Sequence, residues 1–136
     1  MGLNEKRAIK AFQENTFPKL VKKINEAAGF PVELDVQWDT LAVADNAHLY
    51  DEGFTKVYFT PVINAFKDIT TDDLGKDGLK ETLKKVVIKN EGGYYSPGSA
   101  ISFEGGVLTI DHEPVSNIND IDQRANAIAN LLAAKM

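Results

Sequence analysis

Two glycines in succession, Gly105 and Gly106, separate two stretches of alternating polarity, and this pairing constrains the fold more than any other feature of the 136 residues. The flanking stretches run from Ala100 to Glu104 and from Val107 to Asp111. A two-residue β-turn needs positive φ at its centre, which glycine adopts without steric cost. Closing that turn sets Phe103 opposite Leu108 and Ile101 opposite Ile110, all on one face. A slip of one residue would send this apolar set to the other face, so the register is fixed by the side chains themselves. The chain must therefore build a sheet with an apolar face, and other elements must cover it.

The remaining elements follow from periodicity. Residues Asn4 to Ala28 place Ile9, Phe12, Leu20, Ile24 and Ala28 on one helical face. Pro18 lacks a backbone donor and disfavours helix at Phe17, so a kink or two abutting helices is expected there, and Gly29 ends the segment. Val32, Leu34, Val36 and Trp38 alternate with Glu33, Asp35, Gln37 and Asp39, the pattern of a strand with one wet face. The stretch from Thr40 to Gly53 is ambiguous. Phe54 to Thr60 is rich in β-formers and is read as a strand, with Pro61 opening a short helix through Ile63 and Phe66. A second helix is expected from Asp77 to Asn90, with Leu79, Leu83, Val86 and Val87 inward and Lys76, Lys80 and Lys84 outward. A last helix is expected from Ile118 to Ala134, capped by Asn117, with Ile118, Ile121, Ala125, Ile128 and Leu132 as a narrow stripe.

The resulting order is α-β-β-α-β-β-α. It predicts a single α+β domain over residues 1–136, with an antiparallel sheet of four or five strands and helices packed on one face. No internal repeat and no long linker divides the chain.

Composition narrows the chemistry. The absence of cysteine removes disulfides, thiolate metal sites and thiol nucleophiles, and it fits a reducing compartment. No window is apolar enough to span a membrane, and the charged N-terminus does not read as a leader, so a cytoplasmic location without membrane association is expected. A net charge of −5 opposes sequence-independent binding to nucleic acid. That total hides a segregated layout: residues 1–30 carry +3, 31–60 carry −5, 61–90 carry +1 and 91–136 carry −4.

No phosphate-binding loop, dinucleotide fingerprint, zinc-protease helix or nucleophile elbow is present. Asp73, Asp77 and Gly78 have partial calcium-loop spacing, but Gly75 and Lys84 stand where acidic ligands belong, so no metal site is assigned. His48 and His112 are the only histidines, and two surface histidines are the simpler reading than a shared metal. The carboxylates Glu33, Asp35 and Asp39 read as a solvated row. Tyr94 and Tyr95, in a glycine-flanked loop, offer aromatic faces for a ligand or partner.

Two functions fit these readings. The favoured one is a non-catalytic protein-interaction module, forming a homodimer and binding a protein or peptide partner. Its interface would use Ile121 and Ile128 of the last helix, with Lys80 and Lys84 as charged contacts. The alternative is a small-ligand binder or enzyme with a pocket between sheet and helices near Trp38, Tyr58, Tyr94, Tyr95 and His112. No catalytic residue and no cofactor is assigned.

Overall fold

A computed structural model describes residues 2–136. Helices α1 (Leu3–Asn15) and α2 (Phe17–Ala28) are separate and meet at Thr16, as the proline required. Pro18 sits in the first turn of α2, where its missing donor costs nothing, and Gly29 closes α2 with φ 85°. Strand β1 is short, Leu34–Val36, and Trp38 starts a 3-10 turn (Trp38–Leu41) rather than ending the strand.

The next segment departs most from expectation. Phe54 to Thr60 is not a strand but part of a continuous helical run. Helix α3 (Tyr50–Phe54) passes through a π turn (Thr55–Phe59) into α4 (Thr60–Ile69). Phe54, Val57, Tyr58, Phe59, Val62 and Phe66 are all fully buried. A polar stripe of Glu52, Lys56, Thr60, Asn64 and Lys67 does face solvent, but Val57, Tyr58 and Phe59 are buried in succession, and that unbroken run of β-formers mimics a strand. Pro61 explains the π turn. In a regular helix its ring would strike the carbonyl of Val57, and a widened turn immediately before it relieves that clash.

The helix expected from Asp77 to Asn90 is instead two elements. Helix α5 spans Asp73–Thr82, capped by the Asp72 carboxylate accepting from Gly75 N at 2.8 Å, and strand β2 follows at Lys85–Lys89. Leu79, Leu83 and Val86 kept helical spacing across the break, while the β-branched run Val86-Val87-Ile88 belongs to a central strand buried on both faces. Lys84 accordingly lies off the helix, its side chain against Gly106 at the hairpin turn.

A short helix α6 (Pro97–Ala100) leads into β3 (Ile101–Glu104), and β4 (Val107–Asp111) completes the hairpin. Its register is the one the side chains demanded: Phe103 pairs Leu108 and Ile101 pairs Ile110, with Gly105 at φ 60° and Gly106 at φ 82°. The four strands lie in the order β1-β2-β4-β3. β1 with β2 and β2 with β4 are parallel, and only β3 with β4 is antiparallel. The sheet is thus mixed and mostly parallel, not antiparallel, because the added strand β2 enters from a long helical crossover rather than a hairpin. The observed order is α-α-β-α-α-α-β-α-β-β-α.

The inner face (Leu34, Val36, Val86, Ile88, Leu108, Ile110, Ile101, Phe103) joins one hydrophobic cluster with the helices. The outer face carries Asp35, Lys85, Ser102, Glu104 and Thr109, all at least partly exposed. Helix α7 (Ile121–Ala133) packs chiefly on α4. It starts later than expected: Asp120 holds the cap position, and Asn117 stands outside in the left-handed region at φ 52°. An aromatic group of Phe12, Phe17, Trp38, Phe54 and Phe59 seals the end of the core near β1, with Phe17 edge-on to Trp38 at 4.9 Å.

Candidate functional site

The parallel strands β1, β2 and β4 deliver their carboxyl ends to one side of the molecule. Val36, Ile88 and Ile110 form the last paired inner row. The next inner positions by alternation are Trp38, Asn90 and His112. Ligands of open sheets with parallel strands commonly bind at this end. The row is held by its neighbours: Asn90 N donates to the Thr40 hydroxyl Oγ1 at 3.0 Å, and His112 N donates to Lys89 O at 3.1 Å. Asn90 Oδ1 is buried and has no hydrogen-bond partner.

His112 is fully buried beside Arg124, itself 1% exposed. Arg124 Nε donates to His112 Nε2 at 3.3 Å. Since arginine is only a donor, Nε2 must accept, and the ring proton sits on Nδ1, which donates to Glu113 O at 2.6 Å. Tyr58 Oη donates to His112 O at 2.5 Å, linking α4's helical run to the end of β4. Among the described residues no carboxylate bonds Arg124. Its guanidinium instead donates to the carbonyls of Ser116 (3.2 Å), Asn117 and Ile118 (3.5 Å). Three backbone dipoles thus take the place of a counter-ion.

The electrostatics follow from burial. Burial pushes the His112 imidazole below its ordinary 6.5, helped by the Arg124 charge and opposed by the bond to Glu113 O and by the Glu113 and Asp111 carboxylates. Burial likewise pushes the Tyr58 phenol well above 10.0, with Asp111 and Glu113 adding to the effect and Arg124 opposing it. A neutral histidine and a neutral tyrosine bonded to backbone hold the chain in place. Every polar atom of this cluster is turned to its own loops, so it acts as a clamp on residues 112–118.

Two of the surface grooves bear on function. One, of about 650 Å³, runs between α1 and the segment after β1 and is lined by Lys6, Ile9, Gln13, Val36, Trp38 and Asp39. The other, of about 660 Å³, lies between α5 and α7. Its apolar lining is Ile69, Leu74, Ala129, Ala133 and Met136, and the exposed Asp68, Asp72, Asp77 and Glu81 edge it. Leu74 is 84% exposed and Met136 47%.

The sequence-derived candidates divide accordingly. Tyr58 and His112 are in contact, and the loop of Tyr94 and Tyr95 reaches the same end: Tyr94 O accepts from Glu113 N at 2.7 Å and Tyr95 O from Asn117 Nδ2 at 2.8 Å. Both tyrosine rings are exposed. Trp38 is half-buried in the aromatic group and walls the first groove. His48 is exposed on the surface whereas His112 is buried, and among the described residues no three His, Asp or Glu side chains are placed to hold a metal ion. Ile128 is fully buried in the chain's own core and Ile121 is half-buried, so the α7 stripe is spent within the molecule. Lys80 lies on α5, while Lys84 lies beyond it. Sequence reasoning missed Arg124 and Asn90. Arg124 stands three residues after Ile121 and four before Ile128, inside the buried stripe, and that spacing was the available signal. Comparison with known proteins gives no matching family model, no matching curated protein and no matching solved structure.

Proposed function

We propose that the protein is a non-catalytic interaction module whose groove between α5 and α7 receives a basic amphipathic helix from a partner protein. The observation that supports this reading is Leu74, a large apolar side chain 84% exposed in a groove with an apolar lining and an acidic rim. Helix-in-groove recognition needs an apolar trough for the anchoring side chains, and the carboxylates favour lysine or arginine on the flanks. A cytoplasmic location belongs to the same proposal and rests on the cysteine-free sequence. Self-association is the rival filling, in which a second copy would offer the exposed lysines of its first two helices to the acidic rim.

The test uses a helical peptide with leucine along one stripe and lysine elsewhere, titrated calorimetrically into the full chain. Saturable binding is expected, and Leu74→Ser should weaken it about tenfold, since an exposed leucine can be replaced without disturbing the core. Binding indifferent to Leu74→Ser would overturn the proposal. So would native mass spectrometry showing a stable dimer in which the groove is already filled.

A further inference from the structure

The sheet has an open edge at β1, and its ladder uses only alternate residues of that strand. Glu33 O accepts from Val86 N at 2.9 Å, and Gln37 N donates to Ile88 O at 2.9 Å. With Leu34 paired to Val86 and Val36 to Ile88, the parallel ladder directs the N–H and C=O of Asp35 toward β2. The corresponding groups of Leu34 and Val36 face away from the sheet. Two donors and two acceptors therefore line the edge at the spacing of an extended chain. An added strand satisfies such a row with its own backbone, and a helix cannot.

Side chains on either side of this edge define what would fit. The groove of about 650 Å³ against α1 begins at Val36 and offers Ile9 and Trp38 as apolar walls, with Lys6 and Asp39 of opposite charge at its rim. The other face of the strand presents Glu33 and Asp35. Glu33 is exposed, and Asp35 has only Lys85 nearby at 3.9 Å, with both side chains open to solvent. A second copy of β1 would set these carboxylates against their own kind, which cross-strand pairing disfavours.

We propose that the β1 edge takes up an extended peptide as an added strand, and that the preferred peptide alternates apolar with basic residues. Its apolar side chains enter the groove beside Trp38, and its basic ones lie along Glu33 and Asp35. This site is separate from the α5–α7 groove and does not depend on it.

The experiment pairs amide hydrogen exchange on the full chain with an alternating valine–lysine peptide as the probe. On binding, the amides of Leu34 and Val36 should gain protection. Two N-methylated versions of the peptide, one blocked at the valines and one at the lysines, then test the geometry. Only one set of amides faces β1, so one version should bind roughly tenfold more weakly and the other as the parent does. Glu33→Gln combined with Asp35→Asn should also weaken binding, and Leu74→Ser should not. Equal binding by both N-methylated peptides would overturn the proposal, as would protection confined to α5 and α7. Leu34 and Val36 amides already protected without peptide at high protein concentration would mean that the edge pairs with itself, and would overturn it too.

Discussion

Arg124 has the environment in which a single side chain decides most. It is a buried cation whose charge is met by carbonyl oxygens of Ser116, Asn117 and Ile118 rather than by a carboxylate. Removing it leaves those oxygens and His112 Nε2 without their donor, and buried polar atoms stripped of partners are costly. Arg124→Met should lower unfolding free energy by about 3 kcal/mol in urea titrations. Arg124→Lys should recover little of it, because an ammonium lacks the fork that reaches several acceptors at once. His112 supplies the pH dependence. Its folded pKa lies below the ordinary 6.5, so as the medium acidifies the unfolded chain takes up a proton that the folded chain refuses. This contribution to stability is complete above that ordinary value and is lost as pH falls from it toward the depressed one. The urea midpoint should therefore fall as the pH drops below about 7, and His112→Gln should flatten that part of the profile. An unchanged slope in the variant would show that other groups govern it. The sequence made His112 visible by its chemistry, yet its burial was not legible. Alternation placed it on the inner face, but only the fold shows α4 and α7 closing over that position.

Elements were legible where polarity alternates and illegible where burial is complete. The hairpin, α1, α2 and the β1 region each have a wet face, so their periods survive in the sequence. In the run from Tyr50 to Ile69 and in strand β2, three consecutive residues are buried (Val57 to Phe59 and Val86 to Ile88), and each imitated the other's class. Gly53 shows how closely these enclosed elements approach. It lies in α3 against the carbonyl of Pro114, where a Cβ would clash with that oxygen, well inside van der Waals contact distance. The glycine is needed for the close approach of the helix to the loop that Arg124 clamps, not for a turn. Gly53→Ala should push α3 and residues 114–118 apart and cost about 2 kcal/mol, measurable by urea denaturation. Exchange of the Asn117 and Ile118 amides should quicken in the same variant. A substitution tolerated with no loss would show that the loop yields freely and that the clamp is weaker than its hydrogen bonds suggest.

At the scale of the molecule, net charge is a poor description and layout a better one. The −5 is the remainder of a basic stretch over residues 1–30 and acidic stretches over 31–60 and 91–136, and folding puts Asp68, Asp72, Asp77 and Glu81 around one apolar groove. These residues fall in the stretch 61–90, whose charge of +1 gave no hint of an acidic surface. Lysines intervene in sequence but not on the groove: Lys76 and Lys80 lie on α5, and neither lines it. The helical period sorts the signs onto different faces, which summing over a segment cannot show. The two parts of groove recognition then respond differently to salt. Attraction between exposed carboxylates and a lysine-rich helix is screened within about 10 Å at 0.1 M ionic strength, whereas burial of Leu74 and Met136 is not. Affinity for the leucine–lysine helix should therefore fall about tenfold between 0.05 and 0.5 M salt. The change should come mainly from slower association. Glu81→Gln combined with Asp77→Asn should reduce the salt dependence, while Leu74→Ser should weaken binding equally at every salt concentration. If neutralising the carboxylates left the salt slope unchanged, the charge would be acting from elsewhere on the surface, and the acidic rim would have no part in recognition.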